Sequence, residues 1–255
     1  MRIALGIEYD GTDFRGWQSQ QPGVRTVQGA LEAALAKIAN HPVEVVSAGR
    51  TDAGVHASGQ VVHFDATVER PLRAWTLGAN TQLPADVSVS WAQVVPDYFH
   101  ARFSAHARRY RYVILNRPTR SALHRQRTTW WHRPLDSEAM QAAARELIGK
   151  HDFSSFRSAE CQARSPVREL RRLEITRQGE FVILEAEANA FLHHMVRNIA
   201  GVLMAIGGGD QPSTWAREVL QARDRTQAGM TAPAAGLILI AVTYPDEFGL
   251  PPPPS

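Results

Sequence analysis

RIALGIEYDG (residues 2–11) opens the chain as an apolar run that ends at the turn pair Asp10-Gly11, the pattern of a strand over 2–9. Working outward, Thr26 is placed to cap a helix whose apolar face is Val27, Ala30, Leu31, Ala34, Leu35 and Ile38. Pro42 separates that helix from a strand over 43–48, and a Gly-rich segment leads to another strand over 59–65. A helix over 70–80 and a strand over 87–95 complete the order βαββαβ. The same order recurs downstream. A strand covers 107–115, and a helix follows Asp136 with Met140, Ala143, Ala144, Leu147 and Ile148 on its apolar face. Two strands over 168–177 and 180–188 meet at Gln178-Gly179, an apolar helix covers 190–206, a short helix covers 213–223, and LILIAV closes at 237–242. The expected fold class is α+β: two ferredoxin-like (split βαβ, RRM-like) units, 1–104 and 105–255, whose antiparallel sheets form a basic central cleft.

Composition narrows the function classes. A chain of 255 residues with 44% hydrophobic content can bury one large core or two modest ones. The apolar start is broken by Glu8 and Asp10, too polar for a signal peptide, and no apolar run reaches membrane-spanning length, so the expected location is the cytoplasm. A single cysteine, Cys161, excludes an internal disulfide and a Cys-rich zinc site. The net charge of +3 decides little, but the cations are almost all arginine, with only Lys37 and Lys150 as lysines. Arginine's planar fork suits phosphate and base recognition. The tail LPPPPS (250–255) reads as extended and exposed.

Three features carry candidate chemistry. In SAGRTDAGVHASGQVVHF (47–64) small residues flank Asp52, so a large substrate can approach its carboxylate, and Arg50 lies two positions away, within reach of a charge-assisted bond. A hairpin loop with a local salt bridge gives the same pattern. A metal site on Asp52, His56 and His63 is a second reading, with no metal motif to accompany it; the adjacent His193 and His194 on a helix would point apart. No Walker loop or GxGxxG occurs, so no nucleotide cofactor is expected. In ARRYRYVILNRPTR (107–120), Arg108, Tyr110, Tyr112 and Ile114 share one face, and Arg109, Arg111, Val113 and Leu115 the other. Tyrosines could stack on splayed bases while guanidiniums take phosphates, or the tyrosines could simply be core. RSPVRELRR (164–172) extends that basic track or forms a solvated face. Arg197 sits beside the apolar stripe of its helix, either snorkelling or aimed at a carboxylate.

GRTDAGVHASGQVVHF (49–64) resembles the active-site motif of the tRNA pseudouridine synthase A (TruA) family. The likeness extends to ALGIEYDGTDFRGWQ (4–18), NTQLPADVSV (80–89), FHARFSAHARRYRYVILN (99–116), HDFSSFR (151–157), NAFLHHMVRNIAG (189–201) and GLILIAVTYP (236–245). The resemblance implies an isomerase acting on uridines at positions 38–40 of the tRNA anticodon arm, as a homodimer and without cofactor or metal. It makes Asp52 the essential aspartate, nucleophile or base, and has Tyr110 stack on the target uracil. It also has Arg50 support the flipped base and Arg197 pair with Asp52. The rival readings are a non-catalytic RNA-binding protein and a metal-dependent phosphodiesterase built on Asp52, His56 and His63.

Overall fold

A computed structural model describes residues 1–253, and the last two positions of the Pro-rich tail lie outside the described residues. Residues 251–253 are exposed and have no regular structure. The fold is mixed α+β with mostly antiparallel strand pairing, in two compact units: Met1–His106 together with the chain from Ile238, and Ala107–Leu237.

The first unit is built on β1 (Arg2–Tyr9), followed by α1 (Val27–Ala39), β2 (Val46–Ser47), β3 (His56–Asp65) and β4 (Val87–Val95). β1 lies between β4 and β3, antiparallel to both, and β2 pairs antiparallel with β3. Ile3, Leu5 and Ile7 are fully buried and β3 adds Val62 and Phe64, so this sheet carries the unit's core. Thr26 caps α1 as its sequence position predicts, Oγ1 accepting from the Gly29 amide at 3.3 Å. The helix expected over 70–80 is present but contains a π-helical turn, Ala74–Gly78, which buries Trp75. The expected strand over 43–48 contracts to β2, although Val43 and Val45 stay buried.

The second unit contains β5 (Ala107–Asn116), β6 (Thr129–Trp131), α2 (Ser137–Arg145), β7 (Gly149–Asp152), β8 (Val167–Gln178), β9 (Phe181–Ala188), α3 (Met195–Gly207) and α4 (Trp215–Ala222). Its sheet order is β5-β9-β8-β7, all antiparallel, with β6 parallel to β5. Asp136 caps α2 by accepting from the Glu138 and Ala139 amides at 2.9 and 3.0 Å. α3 begins at Met195 rather than at 190, because His194 is left-handed at φ 63° and interrupts the helical run.

The last strand, β10 (Leu237–Thr243), returns to the first unit, where Ile238 and Leu239 pair in parallel with His56 and Ala57. The approach there is close: a Cβ on Gly59 would fall 2.3 Å from the Ile240 carbonyl oxygen, so a side chain would push the strands apart. Among the described residues no helix is long and apolar enough to cross a membrane.

Candidate active site

The loop between β2 and β3 presents Asp52, and the segment after β1 holds that loop in place. The Thr51 carbonyl accepts from the Trp17 amide at 3.0 Å, and the Phe14 carbonyl accepts from the Gly54 amide at 3.4 Å. Thr51 Oγ1 shares a hydrogen bond of 2.7 Å with the buried Tyr9 hydroxyl. Burial pushes that phenol up to about 12 against the opposing effect of its Thr51 and Gln60 bonds, so it stays a neutral partner. On the other side the fully buried Gln60 donates to the Gly49 carbonyl at 2.8 Å. The loop closes on itself where the Val55 amide donates to the Asp52 carbonyl at 3.1 Å, with Gly54 at φ 77°.

Two glycines make this clamp possible. A Cβ on Gly11 would lie 2.0 Å from the Val55 carbonyl oxygen, and one on Gly16, which sits at φ 92°, would lie 2.9 Å from the Thr51 carbonyl oxygen. The 10–18 segment is anchored in turn, with Trp17 and Phe14 buried, Arg25 over the Phe14 ring at 3.9 Å, and Arg25 Nη2 donating to both Asp86 carboxylate oxygens at 2.8 Å. The sequence flags the turn at Gly11 but not Gly16, nor the target of both, which is the backbone of the aspartate loop. The buried Thr51 faces inward, while Asp52 is half-exposed and Arg50 exposed. The bond expected between Arg50 and Asp52 does not form: among the described residues Arg50 has no ion pair, because its side chain extends into solvent. Its guanidinium therefore faces outward, toward anything that approaches the loop.

The metal reading fails on geometry. His56 and His63 are seven residues apart on one continuous strand, roughly 23 Å, too far to share an ion. Each is also engaged locally, since His56 Nδ1 accepts from the Gly11 amide and His63 Nδ1 from the Ala101 amide, both at 3.1 Å. Burial, then the Arg2 and His100 charges, lower His63 to about 4, so it is a neutral core acceptor at physiological pH.

In the second unit, β5 separates its residues by face as the alternation predicts. Arg108, Tyr110, Tyr112 and Ile114 are buried. Tyr112 is core: its hydroxyl donates to the Pro233 carbonyl at 2.8 Å and bonds the Thr129 hydroxyl at 2.5 Å. Tyr110 keeps 8% of its surface and meets the Phe191 ring edge-on at 5.1 Å. On the opposite face, Arg109 bonds Glu187 and Arg111 bonds Glu185, each directly across the ladder. Arg172 of the second basic stretch joins Glu174 and Glu185, and Arg171 bonds Glu169. These arginines form a charge ladder, not the open phosphate track that their sequence suggested.

Arg197 lies in the first turn of α3, half-exposed, with Nε donating to the Ala232 carbonyl at 2.7 Å while its own carbonyl accepts from the Ala232 amide at 3.1 Å. The backbone at 230–232 can reach α3 because Gly201 has no side chain; a Cβ there would stand 1.8 Å from the Met230 carbonyl oxygen. Asn198, fully buried, fastens the same segment by donating to Phe156 O and accepting from Thr231 Oγ1, both at 2.7 Å, and from Arg225 at 3.2 Å. No motif in the sequence marks Asn198; its signal is an amide on the buried face of an apolar helix. His193 and His194 precede α3 instead of riding on it, and their rings lie together at 4.1 Å and 38°.

A family described as tRNA pseudouridine synthase matches residues 6–104 and 143–245, which include the Asp52 loop, its clamp and α3. This chain belongs to the tRNA pseudouridine synthase family. Its relatives span nearly the whole chain. It is 61% identical to a tRNA pseudouridine synthase A of Alcanivorax borkumensis over 98% of this chain and 94% of the relative. It is 60% identical to one of Pseudomonas aeruginosa, over 98% and 88%, and 59% identical to one of Nitrosococcus oceani, over 98% and 96%. A chain in the crystal structure of a Cbf5-Nop10-Gar1 complex shares 11% identity and a TM-score of 0.40 over 95% of this chain and 50% of that one, too distant to inform the fold. Both halves of the family match keep their own supports: Gly11 and Gly16 under the Asp52 loop, and Asn198 and Gly201 behind Arg197.

Proposed function

We propose that this protein isomerises uridine to pseudouridine at positions 38–40 of the tRNA anticodon arm, with Asp52 as its catalytic carboxylate. The observation that carries the reading is the Asp52 loop itself: a half-exposed carboxylate flanked by Ala53 and Gly54, on a backbone bonded to Trp17, Phe14 and Gln60. The reaction breaks the N1–C1′ bond, turns the base and joins C5 to C1′, with the C5 proton lost and N1 protonated. No electrons are gained or lost overall. One carboxylate held beside the ribose suffices, whether it attacks C1′ or removes a sugar proton.

The remaining roles follow from position. Tyr110, whose ring already meets Phe191 edge-on, stacks on the target base and offsets part of the few kcal/mol that extruding it costs. Arg50, outward on the same loop as Asp52, supports the flipped nucleotide. Arg197, oriented through Ala232, supplies the cation that pairs with Asp52. Each unit is read as a ferredoxin-like fold. The antiparallel order β4-β1-β3-β2 of the first unit supports this, as does β5-β9-β8 of the second, with α2 placed between β5 and β8 in sequence. The enzyme is further proposed to work as a cytoplasmic homodimer without a cofactor.

The test is release of tritium from tRNA labelled at uridine C5. Wild type releases it, and Asp52→Asn binds the tRNA but releases none. Equal binding with no release by either protein would replace catalysis with passive RNA binding.

A further inference from the structure

We propose a phosphodiester-binding subsite in the second unit, in an open surface pocket of about 300 Å³ lined by Ser154, Arg157, Ser158, Arg223, Asp224 and Arg225. It takes a backbone phosphate of the RNA, and it rests on the tRNA reading above. Charge supports it first. Three guanidiniums line the pocket, and among the described residues Arg157 forms no ion pair. Arg225 is bonded only to neutral acceptors, the Ala228 and Gly229 carbonyls, Asn198 Oδ1 and Thr231 Oγ1, so its charge is not cancelled. Asp224, the carboxylate of the lining, is engaged in its own turn, accepting from the Thr226 amide and hydroxyl at 2.9 and 2.7 Å. Asp152 pairs with Arg223 only at 3.9 Å, longer than a hydrogen bond; burial raises its carboxyl, but the Ser154 bonds and then the Arg223 and Arg157 charges hold it below its ordinary value, so it offsets part of the positive charge here.

Backbone conformation supports it second. Arg223 stands just past α4 at φ 52°, a left-handed position that ordinarily favours glycine. Its side chain lines the pocket and is 69% exposed. A cation at a helix C-terminus also interacts favourably with the helix dipole, which would place an arginine here without any ligand. The two explanations part at substitution: Arg223→Gly relieves the backbone and removes only the guanidinium.

Arg157 and Arg223 both line the pocket, while Arg225 belongs to the packing behind α3. A phosphodiester held there would take guanidinium donors from both, the kind of contact that positions RNA without reading its sequence. The pocket is joined to the start of α3 through the Ser158 amide, which donates to the His193 carbonyl at 2.9 Å, so a phosphate held here would fix the strand relative to that helix.

The experiment measures tRNA affinity of the full-length protein from about 50 to 200 mM salt, with melting temperatures, for wild type, Arg157→Gln, Arg223→Gly and the double variant. The double variant is expected to bind about tenfold more weakly near 0.1 M salt, with the slope of log K on log salt shallower by about 1, and the single variants in between. Arg223→Gly is expected to melt no lower than wild type, which separates lost contact from lost fold. Unchanged affinity and slope in the double variant would overturn the subsite while leaving the enzymatic reading intact. Absence of tRNA binding by wild type would overturn both. Inorganic phosphate at about 10 mM provides the remaining arm: if it raises the melting temperature of wild type alone while the double variant keeps full tRNA affinity, the pocket is a free-anion site and the RNA assignment is wrong.

Discussion

Gly16→Ala tests whether the 10–18 segment holds the Asp52 loop, because it adds one methyl group and touches no side chain of the proposed site. Gly16 sits at φ 92°, and an L-residue in the left-handed region costs about 1–2 kcal/mol. The new Cβ would stand 2.9 Å from the Thr51 carbonyl oxygen and 3.3 Å from both the Ala53 nitrogen and the Asp52 carbonyl carbon. All three are backbone atoms, so no flexible side chain can swing aside, and overpacking adds about 1–3 kcal/mol. The sum is roughly 2–5 kcal/mol, or a fall in melting temperature of roughly 4–20 °C. The loop can relieve the contact only by moving, and the atoms that move carry Asp52. A displacement near 1 Å costs up to about 10²-fold in turnover.

Gly23→Ala is the matched control. Gly23 has a similar φ of 88° but nothing within 4 Å of its added Cβ, so it isolates conformational strain from contact. Single-turnover tritium release with both variants should give wild-type turnover for Gly23→Ala and a loss of about 10- to 100-fold for Gly16→Ala. Wild-type turnover in a destabilised Gly16→Ala would refute the argument, as it would show that the clamp does not set the position of Asp52. An equal loss in Gly23→Ala would refute it too, by making strain rather than contact the cause.

Two further outcomes are expected. His63, held at about 4 by burial and by the Arg2 and His100 charges, is protonated more readily in the unfolded chain, whose histidine titrates near 6.5. Its contribution is therefore complete above about pH 6.5 and is lost as pH falls toward 4, by up to about 3 kcal/mol. His63→Asn keeps an acceptor for the Ala101 amide and should flatten melting temperature against pH in that window; an unchanged slope would remove His63 as the cause. Tyr112→Phe deletes the hydroxyl bonded to Thr129 and Pro233 and should cost about 1–2 kcal/mol of stability with turnover unchanged, whereas Tyr110→Leu should lower turnover with little change in melting temperature. The reverse pattern would exchange the two tyrosines' roles.

The elements that the sequence made legible are those whose signal is local. β1, α1, β4, β5, α2, β8 and β9 each carry their own periodicity and boundary residue, such as Thr26, Asp136 or Gly179. Those it hid lack one or the other. β6 and β7 are three and four residues long, and GKHD has no apolar alternation at all. Phe191 and Leu192 continue the apolar spacing of α3 backward, but left-handed His194 stops the helix after them. The return of β10 to β3 depends on a contact between residues about 180 positions apart, which no window of sequence contains. At the candidate site, Asp52 was legible because small residues crowd around it. Its clamp was not, because Gly11 and Gly16 act through the absence of atoms where another backbone passes.

Charge shows the same division more sharply. ARRYRYVILNRPTR reads as a basic strand, yet Glu187 and Glu185 lie directly across from Arg109 and Arg111, 78 and 74 residues later in the chain. With Arg172 and Glu174 the ladder holds three cations against three anions, so it presents no net charge to a polyanion. Exposed pairs of this kind add less than about 1 kcal/mol each, and their main effect is to remove arginines from the count available to RNA. Attraction for a phosphate backbone must then come from cations that the fold leaves without a bonded carboxylate, and Arg50 and Arg157 are two of them among the described residues, the Arg157 charge acting on Asp152 only through space. Neither stands in the densest basic stretch of the sequence. The net charge of +3 and the arginine-rich runs therefore do not locate an RNA path; under the subsite proposed above, the arginines without a bonded carboxylate do.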